Sequence, residues 1–203
     1  ERCFALTRSV GDAFLHGWRR QSSAPFPMDE LARATHLWFS HEHADHFSPA
    51  TLRAIPAEAR ARMRVLYQAT RDRTLLDYCR SLGFAETIEL PHLAWLRLGD
   101  DFRVRCGHAF GGDSWLLVVA GGTRFLNLND CICEDDLALH DLAREVGAID
   151  ALLAQYSVGS WLGNPEDGAW RTAEPARALD VLRRKCAALA PRQTIPGASF
   201  SCF

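Results

Sequence analysis

An apolar run that breaks directly into a histidine-rich loop constrains this chain more than any other feature. Residues 35–39 read THLWF, and SHEHADHFSP follows at once. A short apolar run bounded by a polar loop reads as a buried strand. Loops at the carboxyl ends of strands are where α/β sheets place their chemistry. Within six residues this loop carries His41, His43, Asp45 and His46. In extended backbone, residues i and i+2 point the same way, so His41 and His43 can share one ion. Asp45 and His46 then turn towards a second position close by. Imidazole nitrogen mixed with carboxylate oxygen suits zinc, iron or manganese, and is too rich in nitrogen for calcium or magnesium.

The rest of the chain alternates strands and helices. SPATLRAI predicts a helix capped by Ser48 with Pro49 in its first turn. RVLYQA predicts a strand, and TRDRTLLDYCRSLG a helix running from a Thr70 cap to a Gly83 stop. Leu75, Leu76, Cys79 and Leu82 share one face of that helix. ETIEL predicts another strand. WLRLGDDFRVRCGHA and SWLLVVAGGTRFLNLND predict strand pairs turning at Gly99-Asp100 and Gly121-Gly122. EDDLALHDLAREVG predicts a helix with an acidic first turn and Gly147 at its end. IDALLAQYS predicts a strand, TAEPARALDVLRRKCAALAP a long helix stopped by Pro191, and QTIPGASFSCF a last strand. Hairpins flanked by βα units predict an α/β layered domain over residues 1–203, inside a chain that starts at Glu1 rather than at an initiator.

Composition narrows the partners. The 203 residues carry a formal net charge of −2, which gives no basic field for nucleic acid or an anionic membrane. No apolar run approaches the roughly 18 residues that span a bilayer. Seven scattered cysteines with no CxxC pair argue against a zinc knuckle or a secreted disulfide framework. A reducing cytoplasm is the expected setting, with most cysteines acting as small buried apolar residues.

The string HEHADH matches the signature of the metallo-β-lactamase superfamily. That resemblance implies an αββα four-layer sandwich with a dinuclear metal site on one edge. It also implies a later histidine for the first metal and a bridging aspartate after a further strand. RCGHAFGGDS supplies His108, and TRFLNLND supplies Asp130 at the end of an apolar strand. The implied ligand set is therefore His41, His43 and His108 on metal 1, Asp45 and His46 on metal 2, and Asp130 between them. Asp45 and Asp130 would serve catalysis as well. The plainer role for Asp130 is to cap the helix that begins near Glu134.

Hydrolytic members of the superfamily usually add a last histidine for metal 2 near the C-terminus. In TIPGASF that place holds Gly197 and Ala198, which bind no metal. One coordination position is thereby open to a substrate or to dioxygen. GDAFLHGW, FLNLNDC, AQYSVGSWLGN and IPGASF together resemble the CMP-N-acetylneuraminate hydroxylase-like branch, which includes di-iron oxygenases. The DPW expected before GDAF is absent, with Thr7 to Ser9 in its place. A Rieske centre uses paired Cys-x-His motifs, and the chain carries no such pair.

The branch implies two divalent metal ions, iron ahead of zinc. It further implies dioxygen, a small-molecule substrate and an electron-donor protein. A dizinc hydrolase cleaving an ester, amide, lactone or phosphodiester is the alternative. Gln155, Ser157, Ser160, Trp161 and Asn164, with Ser199 in the last strand, offer polar groups to a substrate. Asp113 and Ser114 follow His108 and can orient it from behind.

Overall fold

The computed structural model describes residues 3–5, 26–158 and 164–197. The chain divides into two compact units, residues 1–99 and 100–203. The strings at 11–18 and the residues Ser160, Trp161 and Ser199 lie outside the described residues.

The first unit carries β1 (Cys3–Ala5), α1 (Met28–Ala32), β2 (His36–Trp38), α2 (Pro49–Ala54), α3 (Ala57–Arg60), β3 (Arg64–Gln68), α4 (Thr74–Ser81), β4 (Glu86–Leu90) and β5 (Trp95–Gly99). Its four-stranded sheet runs β1-β2-β3-β4, with every pair parallel. Parallel strands are buried on both faces, so they read as continuous apolar runs. All three residues of β2 are buried, as are the last four of β3. Leu37, Phe39, Leu52, Ile55, Met63 and Val65 anchor the core. Burying a side chain of this size contributes about 1.5–3 kcal/mol.

Local signals explain most of the boundaries. Ser48 caps α2 by accepting the Thr51 N–H at 3.3 Å, with Pro49 in the first turn as expected. α4 begins at Thr74 rather than beside Thr70, because the Thr70 hydroxyl is committed to the Asp72 carbonyl and Asp72 Oδ1 takes the Thr74 N–H at 3.3 Å. Leu75, Leu76 and Cys79 face the core, and Gly83 follows at φ +83°. Arg60 closes the turn after α3 by donating to the carbonyls of Leu82, Leu52, Arg53 and Ile55.

The second unit carries β6 (Phe102–His108), a 3₁₀ turn at Phe110–Gly112, β7 (Ser114–Ala120), β8 (Thr123–Asn129), α5 (Asp136–Val146), β9 (Ala151–Gln155), α6 (Gly168–Leu189) and β10 (Gln193–Gly197). Within it the strand order is β10-β9-β8-β7-β6. β7 is antiparallel to β6 and β8, whereas β8, β9 and β10 are mutually parallel. The β7–β8 turn is made by Gly121 and Gly122 at φ +55° and +75°, the left-handed pair a tight hairpin requires. α6 begins before the expected TAEP string and carries Pro175 in its interior.

The directions have one consequence for function. β6, β8, β9 and β10 all end on the same edge of the sheet, and β7 starts there. His108, Ser114, Asn129, Gln155 and Gly197 are the residues at those ends. Among the described residues no helix is long and apolar enough to cross a membrane.

Candidate metal centre

The loop at the carboxyl end of β2 is built by a tight turn. The His43 carbonyl accepts from the N–H of both His46 (2.9 Å) and Phe47 (2.7 Å), so the chain folds back on itself over the ligand-bearing residues. The His41 and His43 rings meet edge to face with centroids 4.5 Å apart, and the His41 and His46 rings lie 4.3 Å apart. Asp45 Oδ2 stands 3.2 Å from His46 Nε2. His41 and His46 are each 3% exposed, whereas His43 is open to solvent.

Ligand atoms of His41, His43 and Asp45 lie within 4.8 Å of one another. His46 stands beside them, its ring against that of His41. Three or four nitrogen and oxygen atoms converging at this spacing fit a zinc- or iron-sized ion. The donor set therefore suits the metal that the loop implies.

The surroundings fix the ligands. Ser40 Oγ lies 3.0 Å from His41 Nδ1, and Gln68 Nε2 on β3 donates to the Ser40 carbonyl at 3.3 Å. With Nδ1 turned to the hydroxyl, Nε2 is the nitrogen left to face a metal. Glu42 turns aside, accepting from the Tyr67 hydroxyl at 3.3 Å. Burial, and then the Glu42 charge, hold the Tyr67 phenol well above its ordinary range.

On the second unit, His108 ends β6 opposite Ser114, the first residue of β7. Its neighbour Gly107 faces Trp115, whose ring occupies the space where a Cβ would stand. Ala109 N–H donates to the Asp113 carbonyl at 2.8 Å, closing the 3₁₀ turn, and Asp113 and Ser114 are both buried. Asp130 follows the end of β8. There the pairing with β9 shifts register, and Asn129 adopts φ +53°, a left-handed conformation that asparagine tolerates. Asp130 does not cap the next helix: Asp135 does, accepting the Ala138 N–H at 2.8 Å.

Around Cys131 several charges meet. Burial first, then Asp113 and Asp130, push its thiol well up, and Lys185 works the other way. Lys185 itself is held below its ordinary value by burial. It is the residue of this neighbourhood that the sequence reading missed. The signal was present: Val181, Lys185 and Leu189 recur at helical spacing on α6, which places the lysine in the buried stripe.

The expected substrate residues divide. Gln155 ends β9, and Ser157 follows it, half-buried on the edge shared with His108 and Asp130. Asn164 is exposed ahead of α6, and its N–H is bonded to Asp167 Oδ2 at 2.8 Å.

No family model matches the chain. Among curated proteins it is similar to two from Mycobacterium tuberculosis strains described as Rieske 2Fe-2S iron-sulfur proteins, each 29% identical over 96% of this chain. A protein of the same description from Mycolicibacterium smegmatis is 28% identical, again over 96% of this chain. The chain spans about two fifths of the length of these relatives, 40% and 39%. Among solved structures it is similar to CmlA, a diiron beta-hydroxylase from Streptomyces venezuelae, with TM-score 0.62 and 22% identity over 82% of this chain and 36% of that one. An isothiocyanate hydrolase from Delia radicum gut bacteria gives TM-score 0.62 at 14% identity, over 97% of this chain and 76% of that one. The short form of human tRNase Z gives 0.53 at 13% identity, over 80% and 74%.

Proposed function

We propose that this chain, a metallo-β-lactamase-fold protein with the αββα architecture that its histidine loop implied, holds two iron ions and oxidises a small organic substrate with dioxygen. The observation that carries the proposal is the loop after β2. It gathers His41, His43 and Asp45, with His46 against His41. In our reading Asp130, directly after β8, would supply a carboxylate shared by the two ions. His108, at a strand end on the same sheet edge as Asp130, adds the remaining imidazole.

Two further facts favour iron and oxidation over zinc and hydrolysis. CmlA, which shares the fold, is a diiron beta-hydroxylase. The mycobacterial relatives are described as Rieske 2Fe-2S proteins, which links chains of this kind to an iron-sulfur electron carrier. An electron-donor protein is therefore part of the proposal. Iron bound here would supply dioxygen activation. The chain's own residues hold the ligands in place through Ser40 and Gln68, and exclude water around the buried rings of His41 and His46. Gln155 and Ser157, with Ser160, Trp161 and Ser199, are proposed to meet the substrate. Gly197, at the end of β10, offers no side chain for a metal, which would leave a bound ion one position for substrate or dioxygen.

The test is metal content after growth in unsupplemented medium and purification without air, with the optical spectrum recorded before and after oxygen. Two irons per chain and a new visible band on exposure support the oxygenase. Two zincs and no spectral change favour the second reading, a dizinc hydrolase. That reading has its own support in the isothiocyanate hydrolase, which shares the fold over 97% of this chain. Ester, lactone and phosphodiester probes would then be the substrates to try.

A further inference from the structure

Helix α6 buries Val181, Lys185 and Leu189 along one stripe. A stripe turned to a sheet is normally aliphatic throughout, and lysine is almost never fully buried unless paired. Lys185 is 3% exposed, and its Nζ donates to the main-chain carbonyl of Cys131 at 3.2 Å. That carbonyl belongs to the residue directly after Asp130. The same turn is held twice more: Asn129 N–H donates to Asn127 Oδ1 at 2.9 Å, and Cys131 N–H to the Leu128 carbonyl at 2.9 Å. At this point the strand ladder is interrupted and Asn129 is left-handed, so strand pairing no longer dictates where the next side chain points.

We infer that Lys185 is a positioning residue, whose bond to the Cys131 carbonyl fixes the turn at 128–131 so that Asp130 presents its carboxylate to a metal. This rests on the reading of Asp130 as a ligand. Stability does not account for the lysine, because an apolar residue of similar volume in place of a buried ion is often neutral or stabilising. Charge does not account for it either. An ammonium beside the site repels a divalent cation, so removing it would tighten metal binding. Positioning predicts the opposite sign.

The experiment uses the full chain, stripped of metal and titrated with Co²⁺ under nitrogen against a competing chelator. Stoichiometry and the two dissociation constants are followed by visible absorption. For Lys185→Met, the first cobalt should bind as in the wild type and the second about tenfold more weakly, the scale expected when a supporting bond is lost. The thermal midpoint of the metal-free protein should move by only a few degrees. Unchanged affinity for both ions would overturn the inference, and a tighter second site would show that the lysine acts through charge alone. Asp130→Ala is run alongside. If it keeps the second cobalt at wild-type affinity, the assignment of Asp130 fails and Lys185 falls with it. If it loses that cobalt while Lys185→Met keeps it, only the lysine inference fails. Should Lys185→Met not fold, Lys185→Gln, whose donor ends one atom short, takes its place with the same expected and overturning results.

Discussion

Ser40 Oγ sits 3.0 Å from Nδ1 of His41, the imidazole that packs against both His43 and His46. In the tautomer that ligates through Nε2, Nδ1–H donates to that hydroxyl, which sets the ring's orientation and raises its basicity. Ser40→Ala should therefore weaken metal binding roughly 10-fold or more, on the scale of lost supporting bonds. Chelator competition reads this directly. An affinity equal to wild type would mean that the ring is held by packing alone.

Each histidine of the loop should be needed for one ion rather than two, because a ring nitrogen binds a single ion and Nδ1 of His41 faces Ser40. His41→Ala, His43→Ala and His46→Ala should each lower the bound metal from two ions per chain to about one, by this ligand-count argument. Elemental analysis of the three purified variants decides it. A variant that keeps both ions would remove its histidine from the ligand set.

Gly107 is a packing necessity beside a candidate ligand. A Cβ built on it would stand 2.0 Å from the Trp115 ring, far inside contact distance. Gly107→Ala should destabilise the protein by about 3 kcal/mol, the upper range for overpacking. It should also shift the end of β6 that carries His108. Urea unfolding measures the first effect; Gly107→Ala combined with Trp115→Leu should recover most of it. Failure of the double variant to recover would point to a backbone requirement instead.

Alkaline stability should carry the signature of a buried thiol. Burial alone pushes Cys79 from its ordinary value of 9.0 to about 12. Above pH 9 the unfolded chain loses this proton while the folded chain keeps it, so the unfolded state binds fewer protons. Stability is therefore intact below pH 9 and falls as pH rises towards 12, by up to about 1.4 kcal/mol per pH unit from this group. Cys79→Ala should be less stable at pH 7 and show a slope shallower by about one proton between pH 9 and 11. An unchanged slope would place the titration elsewhere.

The parts legible in the sequence were those written locally. The Gly121-Gly122 hairpin, the Ser48-Pro49 helix start and the strand before the histidine loop each rest on neighbouring residues, and each was found. Thr70 was misread because a hydroxyl two residues from Asp72 can satisfy a turn as readily as a helix. The early start of α6 was missed because Asp167-Gly168 reads as a turn, although the helix begins at Gly168. Lys185 was legible as part of a buried stripe through its spacing with Val181 and Leu189, but its bond was not, because its partner is a main-chain carbonyl 54 positions away. The histidine loop was legible because four side chains able to bind a metal fall within six residues. How Asp130 and His108 are aimed was not, since that depends on strand direction and on a register shift.

The compactness of that loop also bears on when the metal arrives. His41 and His46 are five positions apart, and closing so short a ring costs little chain entropy. The second unit must first align strands distant in sequence, which is slower. An ion can thus be captured by the loop while the later sheet is still assembling. The identity of the metal in the finished protein would then reflect which ion the nascent chain meets first, as much as which it binds most tightly.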